Sequence, residues 1–455
     1  MRMRYLIVAA IGLVVGLLLL ALWRTPRVTS WLPDTDVIRA GQSITFETNT
    51  SLTTEDVWSH FQITPNISGD IRIEGRSVHF DPHKPLEYGQ SYTITLSPSA
   101  WGNSILPSLN SYEKHYSVSE PKLLFMRGDG FSTSIWSQDE TGAMAPLANE
   151  PRGIWDYSVL PDGEGVLVSS MNEDGSADLV RFLLSGERDL ILDCGEDRCL
   201  DGHWQPNGIL VAFQKSKDTT EVWLVDTESG TEMSLREFAF SNEDDFRQGP
   251  SSYPRWSADG RYLSFYMPDQ QQLAILDMRN VDLWTIPVNV DLMGEWSPSG
   301  YQLAFTELVL NESHDDENLE DGGSIVPDSG TSFTSRLKVI DVESKEKVDL
   351  GGANINMGGV PEWSFDNTLI AVSRALDGNR QLWSIPLDGS DPEMITGDGS
   401  FTFSAPRSSP DGQHMAFMRS QALGSYLPPG IWLLDLDNGQ KKLIVEEAYL
   451  PDWLP

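Results

Sequence analysis

The 455-residue sequence is short of positive charge: Lys and Arg total 32 against 67 Asp and Glu, a formal net charge of −35 at pH 7. A surface this acidic repels phosphates and offers no basic stripe that could release counterions, which excludes nucleic acid as a partner. The acidity also serves solubility on its own. Histidine is scarce, with seven residues, and no HExxH pair or His/Cys cluster at zinc-site spacing occurs. No G-x-S-x-G nucleophile elbow is present. Cysteine is limited to Cys194 and Cys199, inside LDCGEDRCLDG. These absences leave no catalytic constellation, and the expectation is a protein that is not an enzyme and carries no cofactor.

Long apolar runs are also missing, with one exception. Residues 5–23, YLIVAAIGLVVGLLLLALW, are uncharged and follow Arg2 and Arg4. At about 1.5 Å per residue such a helix crosses about 30 Å of hydrocarbon. The run ends in ALWRTPR without a small-x-small cleavage site. Residues 1–27 therefore read as an uncleaved transmembrane anchor, single-pass in the cytoplasmic membrane, with the bulk of the chain outside the cytoplasm. Gly12 and Gly16 make a GxxxG pair that would let two helices form a homodimer, although glycines are ordinary in such spans.

Past a linker over 28–35, strand signals dominate. SITFET (43–48), DIRIEG (70–75), SVHFDP (77–82) and SYTITL (91–96) alternate with a period of two, and no helical stripe of useful length intervenes. Residues 36–118 read as a small antiparallel sandwich. The run FQITPNISGDIRIEGRSVHFDPHKPLEYGQSYTITLSPSAWGN resembles the SbsA-type bacterial Ig-like domain, through its F-x-I-x-P, the F-x-P before Pro-Leu and the G-x-x-Y-T-I-T-L strand. The resemblance implies a spacer or adhesion module of envelope proteins, without an active site. His60, His79, His83 and His115 in this region read as surface or packing residues.

The rest of the chain repeats one phrase: GHWQPNGILVAF, PRWSADGRYLSF, GEWSPSGYQLAF, PEWSFDNTLIAV and PRSSPDGQHMAF. Asp suits the third position of such a turn, and Gly accepts the positive φ that closes it. The residue four before that Gly is Val159, Trp204, Trp256, Trp296 and Ser408; Trp363 holds the same place before Asn367, the best substitute for Gly at positive φ, and Trp453 recurs at the very end. A further strand follows each pair, as in EVWLVD, RLKVID, QLWSIP and GIWLLD, so each unit is a four-stranded meander. Such units at this spacing are the signature of a β-propeller, with the tryptophans packed between blades. W-S-P-D-G-x-x-L-A-F resembles the TolB-like propeller repeat, itself similar in style to WD repeats. Over 119–455 it implies an all-β ring.

The two ends of this region bear on the blade count. PDWLP (451–455) reads as a first strand with nothing after it, whereas KLLFMR (122–127), TSIWSQ (133–138) and GAMAPLA (142–148) read as second, third and fourth strands lacking a first. One blade built from both ends plus six internal ones gives seven. The count is six if YSVLPDG does not open a blade.

Candidate binding residues lie on the irregular connections. The insertion 308–335 carries Asp315, Asp316 and Glu317 without a Lys or Arg; its carboxylates are calcium-type ligands, but the spacing fits no EF-hand and a solvated loop is the competing reading. Tyr426 and Leu427 lie in SQALGSYLPPG. The connections between first and second and between third and fourth strands are tight, so binding is expected on the opposite, long-loop end. The expected function is a membrane-anchored scaffold that binds an envelope protein or glycan. The rival is a polysaccharide lyase or glycosidase in the central channel, which would need charged and His side chains to converge there; His203 and His414 read as structural.

A C-x4-C pair outside the cytoplasm is in an oxidising compartment and can reach bonding distance. Alkylation without reductant should therefore leave Cys194 and Cys199 unmodified by mass spectrometry. Two alkylated thiols would overturn the disulfide.

Overall fold

The computed structural model describes residues 25–454 except 34–35, 41, 99–107, 109, 129–131, 140, 207, 217, 240–248, 289–293, 311–332, 351–359, 365–367, 374–378 and 422–427. The chain divides into two compact units, Met1–Glu120 and Pro121–Pro455. Among the described residues no helix is long and apolar enough to cross a membrane. Residues 5–23, with Gly12 and Gly16, lie outside them.

The first unit is two four-stranded sheets. One orders Val28–Leu32, Ile44–Thr48, Ser77–Pro82 and Gly69–Glu74; the other orders Val37–Ile38, Tyr112–Val118, Ser91–Leu96 and Phe61–Thr64. Alternation in Ser91–Leu96 buries Tyr92, Ile94 and Leu96 while the intervening residues stay wetter. Both sheets share one core, in which Phe61 stacks on Phe46 and tilts against Phe80. Two features differ from the sequence reading. Val28–Leu32, assigned to the linker, is a strand paired with Ile44–Thr48. Thr54–His60 is a short helix, nucleated by a capping box in which the Thr53 hydroxyl accepts from the Asp56 N–H and the Asp56 carboxylate accepts from the Thr53 N–H. Seven residues are too few for a readable stripe, and the cap is the signal that was available.

The second unit is a succession of four-stranded antiparallel meanders, designated sheets I to VII. Their leading strands are Ile154–Val159, Arg198–Trp204, Ser252–Trp256, Glu295–Trp296, Glu362–Trp363, Phe401–Ser408 and Ala448–Leu454. Sheets I and II are also joined by a parallel contact at Ala177 and Arg198. In sheet VII the leading strand from the far end of the sequence pairs antiparallel with Lys122–Arg127, which continues into Ser134–Gln138 and Met144–Asn149. Leading strands neighbour one another in cyclic order, and sheet VII returns to sheet I. In sheet IV the second and third strands, Gln302–Leu310 and Phe333–Asp341, stay paired to Leu310 and Phe333. The insertion is thus shorter at both ends than the sequence reading had it. A short helix, Leu235–Ala239, follows sheet II.

The repeat phrase explains each local step. After the tryptophan, the Ser257 N–H donates to the Tyr262 carbonyl at 2.9 Å, and the Ser257 hydroxyl accepts from the Tyr262 N–H at 2.9 Å while donating to Asp259 at 2.6 Å. Ser297 and Ser409 accept in the same way from the N–H groups of Gln302 and His414. Gly260 has φ +72°, and a Cβ there would lie 2.2 Å from the Pro206 carbonyl oxygen of the preceding sheet's turn. The turn therefore needs glycine for both conformation and approach.

Four of the five repeat tryptophans link successive sheets through their indole N–H groups, whereas Trp204 donates to the Gly208 carbonyl of its own turn at 3.2 Å. Trp256 donates to the His203 carbonyl at 2.9 Å, Trp296 to Arg255 at 3.1 Å, Trp363 to Glu295 at 2.9 Å and Trp453 to Arg407 at 3.0 Å. Each acceptor immediately precedes the corresponding repeat position, one sheet back. Where the indole is replaced, other bonds take over. Ser408 donates its backbone N–H to Glu362 at 3.0 Å, and beside Val159 the Tyr157 hydroxyl donates to the Leu450 carbonyl at 2.6 Å.

Trp363→Phe would keep most of the buried ring but leave the Glu295 carbonyl unpaired. We expect a loss of about 1–3 kcal/mol in urea unfolding. Trp155→Phe, at a side chain 59% exposed, should change stability little. Equal effects from the two substitutions would show that the clasp contributes nothing.

Candidate functional site

The residue before each repeat position occupies one level of its leading strand: Ser158, His203, Arg255, Glu295, Glu362, Arg407 and Asp452. The six ionisable side chains lie within electrostatic reach of one another, whereas the Ser158 hydroxyl donates to the Gly202 carbonyl at 2.6 Å. Asp452 of sheet VII acts electrostatically on Tyr157 of sheet I, His203 of sheet II, Glu295 of sheet IV and Glu362 of sheet V. Only a common centre places one carboxylate within reach of groups on four different sheets.

Ion pairs organise two sides of this ring. Arg255 Nη1 donates to both Asp201 oxygens at 3.0 Å, and His203 Nε2 lies 3.1 Å from Asp201 Oδ1. Across the ring Arg407 donates to Glu362 Oε2 at 3.0 Å. The Glu362 and Arg407 side chains remain 13% and 33% exposed, so solvent reaches the pair. Among the described residues Glu295 has no hydrogen-bond donor and the Asp452 carboxylate accepts only from the N–H of Trp453 at 2.8 Å.

Burial with an excess of carboxylates shifts these groups. Burial pushes Glu362 up to about 8, opposed by Arg407 and reinforced by Glu295. Burial also raises Glu295 against the pull of Arg407 and Arg255. Asp156 is pushed up to about 6 by burial and the Asp201 charge, against the hydroxyl of Ser169 that donates to it. Burial works to raise Asp201 too, yet Arg255 and His203 hold it below the ordinary carboxylate range. His203 is lowered by burial and by Arg255, which favours neutral imidazole.

Above this level the leading strands bulge, and the residue three before the repeat position enters the left-handed region: Asp201 (φ 51°), Tyr253 (φ 56°), Ala405 (φ 48°) and Leu450 (φ 48°). Each non-glycine residue held there costs of order 1–3 kcal/mol, and such strain gathers at working sites. At Asp201 the cost is offset because its N–H donates to Asp156 Oδ2 at 2.9 Å. The four positions form a collar at the long-loop end. Two cavities open at that same end. One, of about 340 Å³, is lined by Glu221, Leu235, Arg236, Phe265 and Asp269 among others; the second, of about 310 Å³, by Met126, Thr133, Met418, Tyr449 and Leu450 among others.

The sequence-derived site residues fare differently. Cys194 and Cys199 are joined as a disulfide, with a Cα–Cα distance of 6.2 Å. Asp315, Asp316, Glu317, Tyr426 and Leu427 lie outside the described residues. Among the described residues no group of three or more His, Cys, Asp or Glu is placed to hold a metal ion. The sequence reading found too few polar groups for a central site; the structure corrects this by bringing seven sheets' residues together. Their signal was the position before each tryptophan, where His, Arg, Glu, Glu, Arg and Asp stand in six of seven repeats.

No protein-family model and no curated protein matches the chain. Solved structures do. Puromycin hydrolase is similar with a TM-score of 0.50 at 13% identity, over 73% of this chain and 53% of that one. TolB from Acinetobacter baumannii has a TM-score of 0.40 at 14% identity, over 74% and 83% of the two chains. An oligogalacturonate lyase in complex with manganese has a TM-score of 0.40 at 15% identity, over 61% and 72%. The structural neighbours are TolB-like propeller proteins, and the likeness extends to fold alone.

The raised carboxyls make stability pH-dependent. The value for Glu362 in the folded protein lies above its ordinary 4.5. The folded state therefore holds this proton longer than the unfolded chain, and its contribution is full below that ordinary value and declines as pH climbs toward 8. The melting temperature should fall over this window, and Glu362→Gln should flatten the fall. An unchanged slope in the variant would assign the dependence elsewhere.

Proposed function

We propose that the chain is a membrane-anchored extracytoplasmic binding protein, held by residues 5–23, whose seven sheets are the blades of a seven-bladed propeller that presents its long-loop end to an envelope protein or glycan. The N-terminal sandwich would serve as an Ig-like spacer, Gly12 and Gly16 would pair two anchors, and Asp315, Asp316, Glu317, Tyr426 and Leu427 would belong to the binding end. The observation that carries the reading is the coincidence at one end of both cavities, the strained collar and the long connections. Short turns such as Ser257–Gly260 occupy the other end and leave little to recognise. Binding residues on loops above a rigid scaffold are the common arrangement.

One observation favours the rival reading, a lyase or glycosidase in the channel: Glu362, held near 8, sits beside Arg407 and within reach of Glu295, as a general acid would. Against it, the central carboxylates outnumber the guanidiniums, which disfavours a uronate polymer. Glycan turnover abolished by Glu362→Gln would decide for the enzyme.

Capture from solubilised envelope followed by mass spectrometry tests the binding reading. Arg236→Glu and Leu450→Asp, on the long-loop end, should each lower recovery of the partner at least about tenfold, equivalent to 1.4 kcal/mol. Glu228→Lys and Asp437→Lys, on the tight turns, should leave it unchanged. Loss confined to the tight-turn variants would reverse the assignment of faces.

A further inference from the structure

Going beyond the partner-binding reading, we propose that the cavity of about 340 Å³ between sheets II and III is a site for a small zwitterion with an apolar body, an α-amino acid of the leucine type. Its walls come from both sheets. Glu221 and Val222 belong to Thr220–Asp226, the third strand of sheet II, and Leu235 and Arg236 open the helix that follows. Phe265 lies in Tyr262–Met267 of sheet III, and Asp269 in the short 3-10 turn Pro268–Gln270 after it. Ser251 fastens the two sheets: its N–H donates to the Thr220 carbonyl at 2.9 Å, and its hydroxyl accepts from the Val222 N–H at 2.8 Å. The cavity is therefore bounded by bonded main chain, which limits the ordering that a ligand must impose.

The lining divides into an apolar floor and a charged rim. Val222, Leu235 and Phe265 are buried and form the floor. Glu221, Arg236 and Asp269 bring two carboxylates and one guanidinium to the rim. Among the described residues none of these three side chains forms a hydrogen bond or an ion pair, with one another or with any other group. Charges of opposite sign that line one cavity without pairing are available to a ligand that carries both signs. The Ser251 hydroxyl adds a donor, since among the described residues its proton has no acceptor. Gly249 leaves the Asp269 carboxylate its place: a Cβ there would lie 3.2 Å from Asp269 Oδ2.

Stoichiometry and size name the ligand. An ammonium has three rotatable donors and can serve two carboxylates, whereas a guanidinium fork matches one carboxylate. Two acids and one arginine thus suit one ammonium and one carboxylate, with the Ser251 hydroxyl as a second donor to the latter. The floor takes an apolar side chain. A bare cation would leave Arg236 and the floor unused. The volume lies at the low end of small-molecule sites, about 300 to 1,000 Å³, so a single amino acid fits and an oligosaccharide does not.

The test is isothermal titration calorimetry of the full-length protein in detergent with leucine, leucine amide, N-acetyl-leucine and glycine. The amide stands for the amino end of a peptide, the acetyl compound for its carboxyl end, and glycine lacks the apolar body. Saturable binding of leucine at one site is expected, with each of the other three at least about tenfold weaker. Arg236→Gln, Glu221→Gln and Asp269→Asn should each weaken leucine at least about tenfold, and Glu228→Gln should not. Arg236 and Asp269 are exposed and Glu221 is half-buried, so these variants should melt like the parent. Excess leucine should raise the melting temperature of the parent and of Glu228→Gln, and not that of the rim variants. No saturable leucine signal, any of the three analogues binding as tightly as leucine, or unaltered affinity in all three rim variants overturns the proposal. Partner capture that depends on Leu450, which lines the other cavity, stands or falls separately.

Discussion

The hydrogen bond from an indole N–H to a main-chain carbonyl one sheet back is the interaction on which the second unit depends. A four-stranded meander has two apolar faces and cannot bury both alone, so it needs neighbours. Stacking would tolerate sliding. The bond from Trp363 to the Glu295 carbonyl does not, because a buried carbonyl and a buried N–H must meet at one register or both go unpaired. Repetition at Trp256, Trp296 and Trp453 fixes the same register for successive leading strands. Through that register the residues just before the tryptophans arrive at one level.

From this constraint the chemistry of the centre follows. The same residue that offers its carbonyl to the next indole carries the side chain that faces its counterparts on the other sheets. Packing and polar chemistry thus share one position of the repeat, with the main chain used for assembly and the side chain left facing the centre. A protein with no need of the centre could fill that level with alanine or serine, as Ser158 does in sheet I. Instead six of the seven sheets place an ionisable group there, and burial, reinforced by Glu295, pushes Glu362 up to about 8.

The bulges extend the division of labour. A left-handed residue such as Asp201 or Leu450 turns the leading strand just before it enters the centre. The strain is sustained by local bonds, such as the Asp201 N–H to Asp156, and by the pairing of each strand on either side of the bulge. The long-loop end thereby acquires a collar and cavities, while hairpins such as Ser257–Tyr262 close the tight-turn end. The two ends of one ring differ because the repeat specifies the hairpin closely and leaves the other connections free to vary.

Much of this was legible in the residues. Period-two alternation located SVHFDP and SYTITL at the strands Ser77–Pro82 and Ser91–Leu96, and the Trp-Ser-Asp-Gly phrase located hairpins whose serine and glycine roles are local and so are written locally. A strand without its neighbour at either end of the second region indicated that Ala448–Leu454 pairs with Lys122–Arg127. The helix Thr54–His60 escaped because one capping box is a weaker sign than a stripe. The central ring escaped for a different reason. Arg255, Glu295, Glu362, Arg407 and Asp452 are separated by dozens of residues, and each alone reads as an ordinary charge on a strand edge. Sequence determines which position of each meander is polar, because that choice is local; only closure of the sheets around a centre decides that these positions face one another, because electrostatic reach depends on distance in space and not along the chain.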